Sequence, residues 1–442
     1  MGAPHTDSSA EFLAKLRANL PALDQTPRLS VAYSGGLDST VLLTALVKLE
    51  LEVPVRALHV DHGLRAESPE WQAHCERYAG ELAVEFETRR VHVDPADQGI
   101  EAAARQARYA ALAELLEHNE VLVTAHHADD QLETALLRLF RGSGVKGLTA
   151  IAERVPLGSG YLNRPLLNFS RAELAAQARQ WQLVWLDDPS NQSLRFDRNY
   201  LRHAVLPSIV RRWPAAARAA VRLAAHMRDA DEILEAMASM DLAGATDPVP
   251  RGILRRLSPA RQRNALRALV ARQGLPLPGT AQLEELRASL AVTRADAETC
   301  VRWPGAEARV YRDRLYLLEP LEPVTPPESS LLAARWESEH AGALWLERST
   351  GPGLPDAWVR QGLRIRFRRG GESFRPLQRA HKRPLKRWLQ DEHILPWMRN
   401  RIPLLYRDEQ LVAVGDLWVS DDVRHSDPPY WVVRWANHPP IR

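Results

Sequence analysis

Six consecutive residues near the N-terminus have the types and spacing of an anion-binding loop: Ser34, Gly35, Gly36, Leu37, Asp38 and Ser39. The apolar run 29–33 before them is typical of a buried parallel strand, and residues 40–49 after them repeat apolar side chains at helical spacing. Glycines let the backbone approach a phosphate closely, and the N–H groups that begin a helix attract negative charge. We therefore predict a phosphate site here, in preference to a turn that only joins a strand to a helix.

The carboxylate of Asp38 distinguishes this loop from a Walker A loop. The loop contains no lysine and lacks the Gly-Lys-Ser/Thr ending. A carboxylate beside a phosphate is repelled unless a cation lies between them, and Mg²⁺ suits both kinds of oxygen. We therefore expect Asp38 to approach the phosphate through Mg²⁺.

A second group of polar residues, 126–134, follows another apolar strand. Within it Asp130 and Glu133 share one face at the start of a helix. Two acids that face a pocket can hold a cationic amine or a metal, and the alternative is that they only complement the helix dipole. The adjacent His126 and His127 diverge in direction on a helix or strand, which argues against a metal site made by protein side chains alone.

Two pairs of arginines lie at helical spacing. Arg105 and Arg108 follow Glu101 on one helix, where they form surface ion pairs or neutralise a leaving group beside a phosphate site. Arg198 and Arg202 share a face after an acidic turn. They line an entrance for a polyanion or belong to a well-capped surface helix.

Positive charge is concentrated after residue 190, although the net charge of the chain is only +3. Residues 195–228, 251–272 and 364–387 are rich in Lys and Arg and contain almost no acid. One such segment is as easily a solvated helix face as a binding surface. Three of them favour a nucleic-acid partner.

Strand-like and helix-like segments alternate up to about residue 190. Such alternation predicts a parallel sheet covered on both faces, with ligands beyond the carboxyl ends of the strands. The anion-binding loop follows the first strand, residues 59–65 follow the second and residues 124–130 follow the fourth. The predicted strands are 29–33, 55–60, 84–93, 120–124 and 183–186, and the predicted helices are 68–82, 100–116, 129–140 and 170–180.

The remainder of the chain has a different character. Residues 200–300 are rich in Ala, Leu and Arg with helical spacing, including a helix between Ser258 and Gly274, and residues 320–357 contain many prolines. The last 80 or so residues predict a small domain with strands at 363–367 and 410–414 around a basic helical stretch, 384–389. The expected fold class is α/β, with a parallel-sheet nucleotide-binding domain, a helical middle domain and a small mixed α/β C-terminal domain. The expected boundaries are 1–215, 216–320, a linker at 321–357, and 358–442.

Composition sets further bounds on the function. The chain has 442 residues and 45% hydrophobic content, without an apolar run that could span a membrane or a signal-peptide core. Its two cysteines, Cys75 and Cys300, cannot form a CxxC pair, which excludes a zinc ribbon or a cysteine-held iron–sulfur cluster made by this chain alone. We expect a cytoplasmic protein.

The loop at 34–39 resembles the PP-loop of the N-type ATP pyrophosphatases. Further segments resemble, in the same order, those of the bacterial tRNA(Ile)-lysidine synthetase family, and the likeness spans nearly the whole chain. The N-terminal segments are 59–65, 100–109, 126–134, 141–144, 164–167 and 188–202. The C-terminal ones are 368–372, Lys382, 385–386 and Trp388.

This resemblance implies an ATP-dependent ligase that joins L-lysine to C2 of the wobble cytidine in the CAU anticodon of tRNA(Ile), through an adenylated cytidine, with release of AMP and diphosphate. It implies a PP-loop fold, ATP and Mg²⁺ as cofactors, and ATP bound by residues 34–39 with His59 near the adenine. Catalytic roles fall to Asp38, Ser39 and Arg105, with Asp38 as the Mg²⁺ ligand, and lysine binding falls to Asp130 and Glu133. The residues expected to bind tRNA are Arg198, Arg202, Arg375, Lys382, Arg383, Lys386 and Arg387.

Three other functions stay open at this point. A tRNA thiolase of the same superfamily that acts on cytidine commonly needs paired cysteines, which this chain lacks. An amide-forming NAD or GMP synthetase has the same loop but no need for three basic segments. A catalytically silent RNA-binding adaptor has no need for the intact loop. The sequence does not determine the oligomeric state, and a homodimer stays open.

Overall fold

The computed structural model describes residues 8–63, 68–93, 100–187, 193–291, 299–324, 335–425 and 428–441. The chain divides into two compact units, Met1–Leu234 and Glu235–Arg442. Two of the predicted motifs lie partly outside the described residues: the end of 59–65, and the segment 188–192 of 188–202.

The first unit is built on a six-stranded sheet in the order β3-β2-β1-β4-β6-β5. Neighbouring strands are parallel except β5, which runs antiparallel to β6. The strands are β1 (Leu29–Ala32), β2 (Val55–Asp61), β3 (Glu85–Arg90), β4 (Val121–Val123), β5 (Arg154–Leu157) and β6 (Gly160–Asn163). The predicted parallel α/β architecture is confirmed.

The fifth predicted strand, 183–186, is wrong. This segment has no strand hydrogen bonding; instead the backbone N–H of Leu186 donates to the carbonyl of Gly35 at 2.8 Å. Its apolar residues Leu183 and Trp185 are partly buried against the core beneath the anion-binding loop, which explains a strand-like pattern without a strand. The sheet is completed instead by the hairpin β5–β6, which the sequence analysis did not predict.

The helices of the first unit include those that pack on the sheet, and the last of them continues into the second unit. They are α1 (Ser8–Ala18), α2 (Leu37–Lys48), α3 (Ser68–Glu81), α4 (Ile100–Leu115), α5 (Ala128–Phe140), α6 (Val145–Leu148), α7 (Arg171–Gln180), α8 (Asp197–Tyr200), α9 (Leu206–Arg212) and α10 (Ala216–Leu242). Residues Leu201–Val205 form a π-helical turn between α8 and α9. Helix α2 is buried from Ser39 to Leu46, so the loop before it is fixed to the core of the unit.

The second unit combines short helices with several small sheets. Its helices are α11 (Arg251–Arg255), α12 (Pro259–Arg272), α13 (Thr280–Ser289), α14 (Asp356–Gln361) and α15 (Leu385–Asp391). The first strands are β7 (Val249–Pro250), β8 (Thr299–Trp303), β9 (Ala306–Tyr311) and β10 (Arg314–Leu318), in the sheet order β7-β10-β9-β8. The helix predicted between Ser258 and Gly274 is α12, but the sheet that follows the helices was not predicted.

Three further sheets occupy the end of the chain, in the orders β11-β12-β20-β13, β14-β17-β18-β19 and β15-β16. Their strands are β11 (Arg335–Ser338), β12 (Gly342–Ser349), β13 (Leu354–Pro355), β14 (Arg364–Arg366), β15 (Ser373–Phe374), β16 (Arg383–Pro384), β17 (Leu404–Arg407), β18 (Gln410–Val414), β19 (Trp418–Val419) and β20 (Tyr430–Ala436). Strand β12 lies in the segment expected to be a linker and pairs with β20 from Ala343 to Ser349. That stretch is therefore part of a C-terminal sheet.

Candidate active site

The anion-binding loop connects β1 to α2, and within it the backbone N–H groups of Ser34 and Gly36 donate to the serine hydroxyl oxygens at 3.3 and 3.4 Å. Gly36 precedes the first turn of α2 without a side-chain cap, so the N–H groups there are available to an anion. The two serines hold the loop together, because their Oγ atoms lie 3.1 Å apart and Ser39 Oγ donates to the Gly36 carbonyl at 3.0 Å. These contacts hold the loop in one conformation.

Gly35 is required by both conformation and space. Its φ is +77°, a region that side chains other than glycine rarely adopt. A Cβ atom here would lie 2.8 Å from Sγ of Cys75 and 3.2 Å from Cδ1 of Leu186. Burial raises the pKa of that cysteine to about 12, so Cys75 is a packed thiol and not a reactive thiolate.

His127 lies among three carboxylates. Its Nε2 is 3.6 Å from Asp38 Oδ2 and 3.6 Å from Asp130 Oδ2, and its Nδ1 is 3.6 Å from Asp129 Oδ2. Burial opposes a charge on this imidazole, but the carboxylates outweigh burial and raise the pKa of His127 to about 10. The loop carries no lysine that could supply positive charge. Instead, the protonated His127 at the start of α5 lies beside Asp38.

The neighbouring His126 behaves in the opposite way. Burial lowers its pKa to about 3, against a smaller opposing effect of Asp130, and its Nδ1 lies 2.8 Å from Oγ1 of Thr124. The two histidines therefore diverge, as the sequence analysis predicted. His126 is neutral and lines the cavity, whereas His127 is a buried cation.

The two acids of α5 are both paired with arginine. Arg198 donates to Glu133 Oε2 at 2.8 Å and to Asp130 Oδ1 at 2.9 Å. Arg202 donates to Glu133 Oε1 at 2.6 Å and to Asp130 Oδ1 at 3.1 Å. Burial acts first to raise the pKa of Asp130, but His127, His126 and the two arginines outweigh it and hold that pKa well below its usual range. The residues expected to bind lysine and two of those expected to bind tRNA therefore form one buried ionic cluster.

One cavity of about 460 Å³ joins the loop to this cluster. From the predicted set it is lined by Ser34, Gly36, Leu37, Asp38, Ser39, Arg105, Asp130, Arg198 and Arg202. Gly35 lies behind the loop, and Glu133 is 1% exposed beneath the arginines. His59 is buried in β2 with its Nδ1 3.0 Å from the Tyr33 carbonyl, so its side chain belongs to the sheet.

Helix α4 forms the opposite wall. Arg105 and Arg108 lie over the ring of Tyr109, with guanidinium carbons 5.1 and 5.4 Å from its centroid, and all three line the cavity. Burial lowers the pKa of Arg108. The cavity is therefore lined both by arginines, which can bind phosphate, and by the ionic cluster of α5 with Arg198 and Arg202.

Asp38 is the one side chain of the loop suited to a divalent cation. Within the described part of the chain, its Oδ1 is buried without a hydrogen-bond partner. The described residues contain no group of three or more His, Cys, Asp or Glu side chains arranged as metal ligands. A single carboxylate that acts together with phosphate oxygens fits the way Mg²⁺ binds in nucleotide sites.

The basic residues predicted in the second unit lie on and around α15. Lys382, Lys386 and Arg387 are exposed. Arg383 pairs with Asp391 at 2.8 Å and lies over the ring of Trp388 at 3.9 Å. Arg375 pairs with Asp421 at 2.9 Å, so two of the five predicted cations have an acidic partner.

Several residues of the cavity were given no site role by the sequence reasoning: His62, Leu186, Asp187, Arg171 and the neutral His126. His62 belongs to the segment after β2 that had been singled out as a whole. Asp187 belongs to the acidic turn before Arg198, which had been considered only as a possible entrance for a polyanion. In this unit and the other, no helix among the described residues is long and apolar enough to cross a membrane.

The sequence matches three protein families in separate regions. Residues 6–209 match the family described as a PP-loop domain, which indicates that the chain uses ATP. Residues 250–316 match the TilS substrate binding domain, and residues 363–435 match the TilS substrate C-terminal domain.

Relatives match this sequence over nearly its whole length. A tRNA(Ile)-lysidine synthase from Alkalilimnicola ehrlichii is 40% identical over 427 residues, which cover 94% of each chain. One from Xanthomonas campestris pv. campestris is 40% identical over 415 residues, 91% of this chain and 93% of that protein. Among solved structures, the U34-tRNA thiolase NcsA from Methanococcus maripaludis is only a distant neighbour, with a TM-score of 0.42 and 18% identity over 50% of this chain and 79% of that one.

That distant likeness carries no argument for a thiolase, whereas the near-complete coverage at 40% identity does carry one for a ligase. The chain therefore belongs to the tRNA(Ile)-lysidine synthase family, ligases whose catalytic unit is an ATP-using PP-loop domain.

Proposed function

We propose that this protein joins L-lysine to C2 of the wobble cytidine in the CAU anticodon of tRNA(Ile), and so forms lysidine. ATP is the energy source, and AMP and diphosphate are the products. The observation that supports this most strongly is that one cavity is lined by both the anion-binding loop and Asp130 of the ionic cluster. An activated phosphate ester and a cationic amine can then meet in one space.

The first step is activation of the cytidine. The cytidine O2 attacks the α-phosphate of ATP, a new O–P bond forms, and the bond to diphosphate breaks. Ser34, Gly36 and Ser39 are suited to hold the departing diphosphate, because all three line the cavity at the start of α2, where the helix dipole favours an anion. Arg105 on the facing wall is suited to neutralise the charge that develops on the leaving group.

Mg²⁺ is the cofactor that we assign to Asp38. Its Oδ1 atom, buried and without a partner in the described structure, is the free ligand position. When bound, Mg²⁺ would neutralise phosphate charge that the loop, which has no lysine, does not neutralise itself. The charge of His127 on the other carboxylate oxygen holds Asp38 in place.

The second step is attack by the lysine ε-amine on C2 of the adenylated cytidine. The C2–N bond forms, the C2–O2 bond breaks, and AMP leaves with the former cytidine oxygen. The amine has an ordinary pKa near 10.4 and must lose a proton before it attacks. Asp130 lines the cavity and is the carboxylate best placed to meet the ammonium, with Glu133 behind it.

In the structure both acids are paired with Arg198 and Arg202. We infer that the ammonium shares Asp130 with these guanidinium groups or displaces one of them. The same arginines then become available to the tRNA backbone. The remaining predicted tRNA contacts are Arg375, Lys382, Arg383, Lys386 and Arg387, which would bind mainly the phosphate groups of the tRNA. We place this reaction in the cytoplasm.

Labelled lysine tests this function directly. We expect ATP-dependent transfer of lysine to a tRNA(Ile) transcript with cytidine at the wobble position, and no transfer to the same transcript with uridine there. Transfer to the uridine transcript, or AMP release without any lysine transfer, would contradict the proposal. Sulfur incorporation in its place would indicate the thiolase alternative.

A further inference from the structure

A second basic cavity lies in the other unit, at the turn after β14. Its volume is about 570 Å³, within the usual range of roughly 300–1,000 Å³ for small-ligand sites. The described residues that line it include four arginines and no acid. Two aromatic side chains, Phe367 and Trp397, complete the wall.

The charge in this cavity is only partly neutralised. Arg366 is fully paired, with two hydrogen bonds of 2.7 Å to Glu409. Arg368 donates to Asn400 at 3.1 Å and lies 3.7 Å from Glu372. Arg369 is exposed, and none of its side-chain contacts within the described residues is an ion pair. The cavity therefore keeps a net positive charge.

Arg401 adds a buried cation at the base of the cavity. Its side chain is 7% exposed, and its two terminal nitrogens donate to the backbone carbonyls of Glu322 and His340, each at 2.5 Å. Its Nε has no hydrogen-bond partner among the described residues. A buried cation held only by carbonyl oxygens favours an anion nearby.

The turn that carries the arginines is held in one conformation. Gly370 and Gly371 have φ values of +100° and +86°, which glycine adopts without strain. The carboxylate of Glu372 accepts hydrogen bonds from the backbone N–H groups of Arg369 at 2.6 Å and Gly370 at 2.9 Å. Arg368 and Arg369 are thus presented by a preorganised loop, which lowers the cost of binding.

We propose that this cavity binds one nucleotide unit, with its base against Phe367 and Trp397 and its phosphate against Arg368 and Arg369. The source to which we commit is an unpaired nucleotide of the tRNA, so the inference rests on the proposed function. Aromatic rings beside guanidinium groups are the combination that binds single-stranded nucleic acid. A site for an inorganic anion would have no need of the two rings.

Three single variants test the proposal by tRNA binding over a salt series. Phe367→Leu keeps all the charge and should lower tRNA affinity about 5- to 50-fold without a change in the salt slope. Arg369→Gln should flatten the slope of log K against log salt by roughly 0.7–0.9. Arg364→Gln removes the same charge from an exposed position on β14 outside the cavity, and should change the affinity less than Arg369→Gln does.

Free nucleotide is distinguished from RNA by thermal melting with AMP and with inorganic phosphate. AMP also reaches the ATP site, so the relevant quantity is the part of the melting shift that Phe367→Leu removes. If Phe367→Leu removes a large part of the AMP-induced melting shift but leaves the tRNA affinity unchanged, the cavity binds a free nucleotide and not a nucleotide of the tRNA. Equal shifts from phosphate and AMP would overturn recognition of a base.

The whole proposal is overturned if Phe367→Leu alters neither tRNA binding nor the AMP shift while its own melting temperature stays near that of the parent. These measurements need no turnover. A protein that forms no lysidine but binds tRNA through Phe367 would refute the proposed function alone.

Discussion

Replacement of Glu133 by Gln tests whether the buried ionic cluster holds α5 to the segment of α8 and the π-helical turn. The carboxylate is 1% exposed and accepts three charge-assisted hydrogen bonds, from Arg198 Nε at 2.8 Å, Arg202 Nε at 2.6 Å and Arg202 Nη2 at 2.9 Å. A glutamine has one acceptor oxygen, and its NH₂ group would face a guanidinium donor. At least one bond is lost and a guanidinium loses its counter-charge.

Removing one partner of a buried pair costs about 3–5 kcal/mol. Arg198 and Arg202 are about a quarter exposed, at 24% and 23% of their side-chain surface, so we expect the lower end, about 3 kcal/mol. The measurement is the free energy of unfolding by urea, followed by circular dichroism and assigned to the first unit's transition.

The chain contains a matched control. Glu284 also lies between two arginines, Arg263 at 3.0 Å and Arg287 at 2.8 Å, but at the surface of α13. Glu284→Gln should change stability little, because solvent screens that cluster. Combining Glu133→Gln with Arg202→Met should recover part of the loss, since fewer unpaired charges remain. If Glu133→Gln destabilises no more than Glu284→Gln, the ionic cluster does not carry the stability assigned to it.

Four further predictions follow from the site and the second unit. Asp38→Ala should slow diphosphate release by ~10²-fold or more, because it removes the expected metal ligand and not core packing. The control Asp24→Ala, at an exposed position, should not slow it. Near-normal AMP formation by Asp38→Ala would remove Asp38 from the mechanism. Asp130→Asn should raise the KM for lysine more than that for ATP, and equal effects on both would make Asp130 an ATP-side residue. The two histidines should make the free energy of unfolding depend on pH at opposite ends of the scale. The raised pKa of His127, about 10, gives stability that is complete below pH 6.5 and is lost as the pH rises to 10. The lowered pKa of His126, about 3, gives stability that is lost as the pH falls from 6.5 to 3. Unfolding free energies of His127→Gln and His126→Gln across pH should lose the alkaline and the acid dependence respectively, and identical profiles would refute these charge states. Reversing the charge of Arg383 and Lys386 should weaken tRNA binding and flatten its salt dependence, whereas an unchanged slope in filter binding would leave α15 without a direct role.

The sequence was sufficient to predict the position of a strand where its pattern of side chains reflects its place in the sheet. Strands β1, β2 and β4 contain short apolar runs that are largely buried, whereas β3 is mostly exposed and polar, and each of the four was located within a few residues. The hairpin β5–β6 was missed because its strands are short and contain Pro156 and Gly160, which weaken a strand pattern. The segment 183–186 was assigned wrongly because burial against the core produces the same apolar run as a strand.

The roles of the site residues stay predictions; the structure places many of them around one cavity, in pairings that the sequence did not indicate. The loop at 34–39 is local, and its role follows from glycines at a helix start. The pairing of Arg198 with Glu133 joins positions 65 residues apart, and the approach of His127 to Asp38 depends on α2 and α5 beginning close to one another in the fold. Charge and helical spacing identify such side chains as candidates, but only the tertiary structure decides which of them neutralise one another.

The order of the two chemical steps is the central claim, and a pulse with ATP labelled at the α-phosphate tests it most directly. Without lysine, label should accumulate on tRNA(Ile) that carries a wobble cytidine, with an equal amount of diphosphate released. Addition of lysine should then move that label into AMP as lysine enters the tRNA. Labelled AMP that appears at the same rate without lysine, and with no label on the tRNA, would contradict an adenylated cytidine as the intermediate.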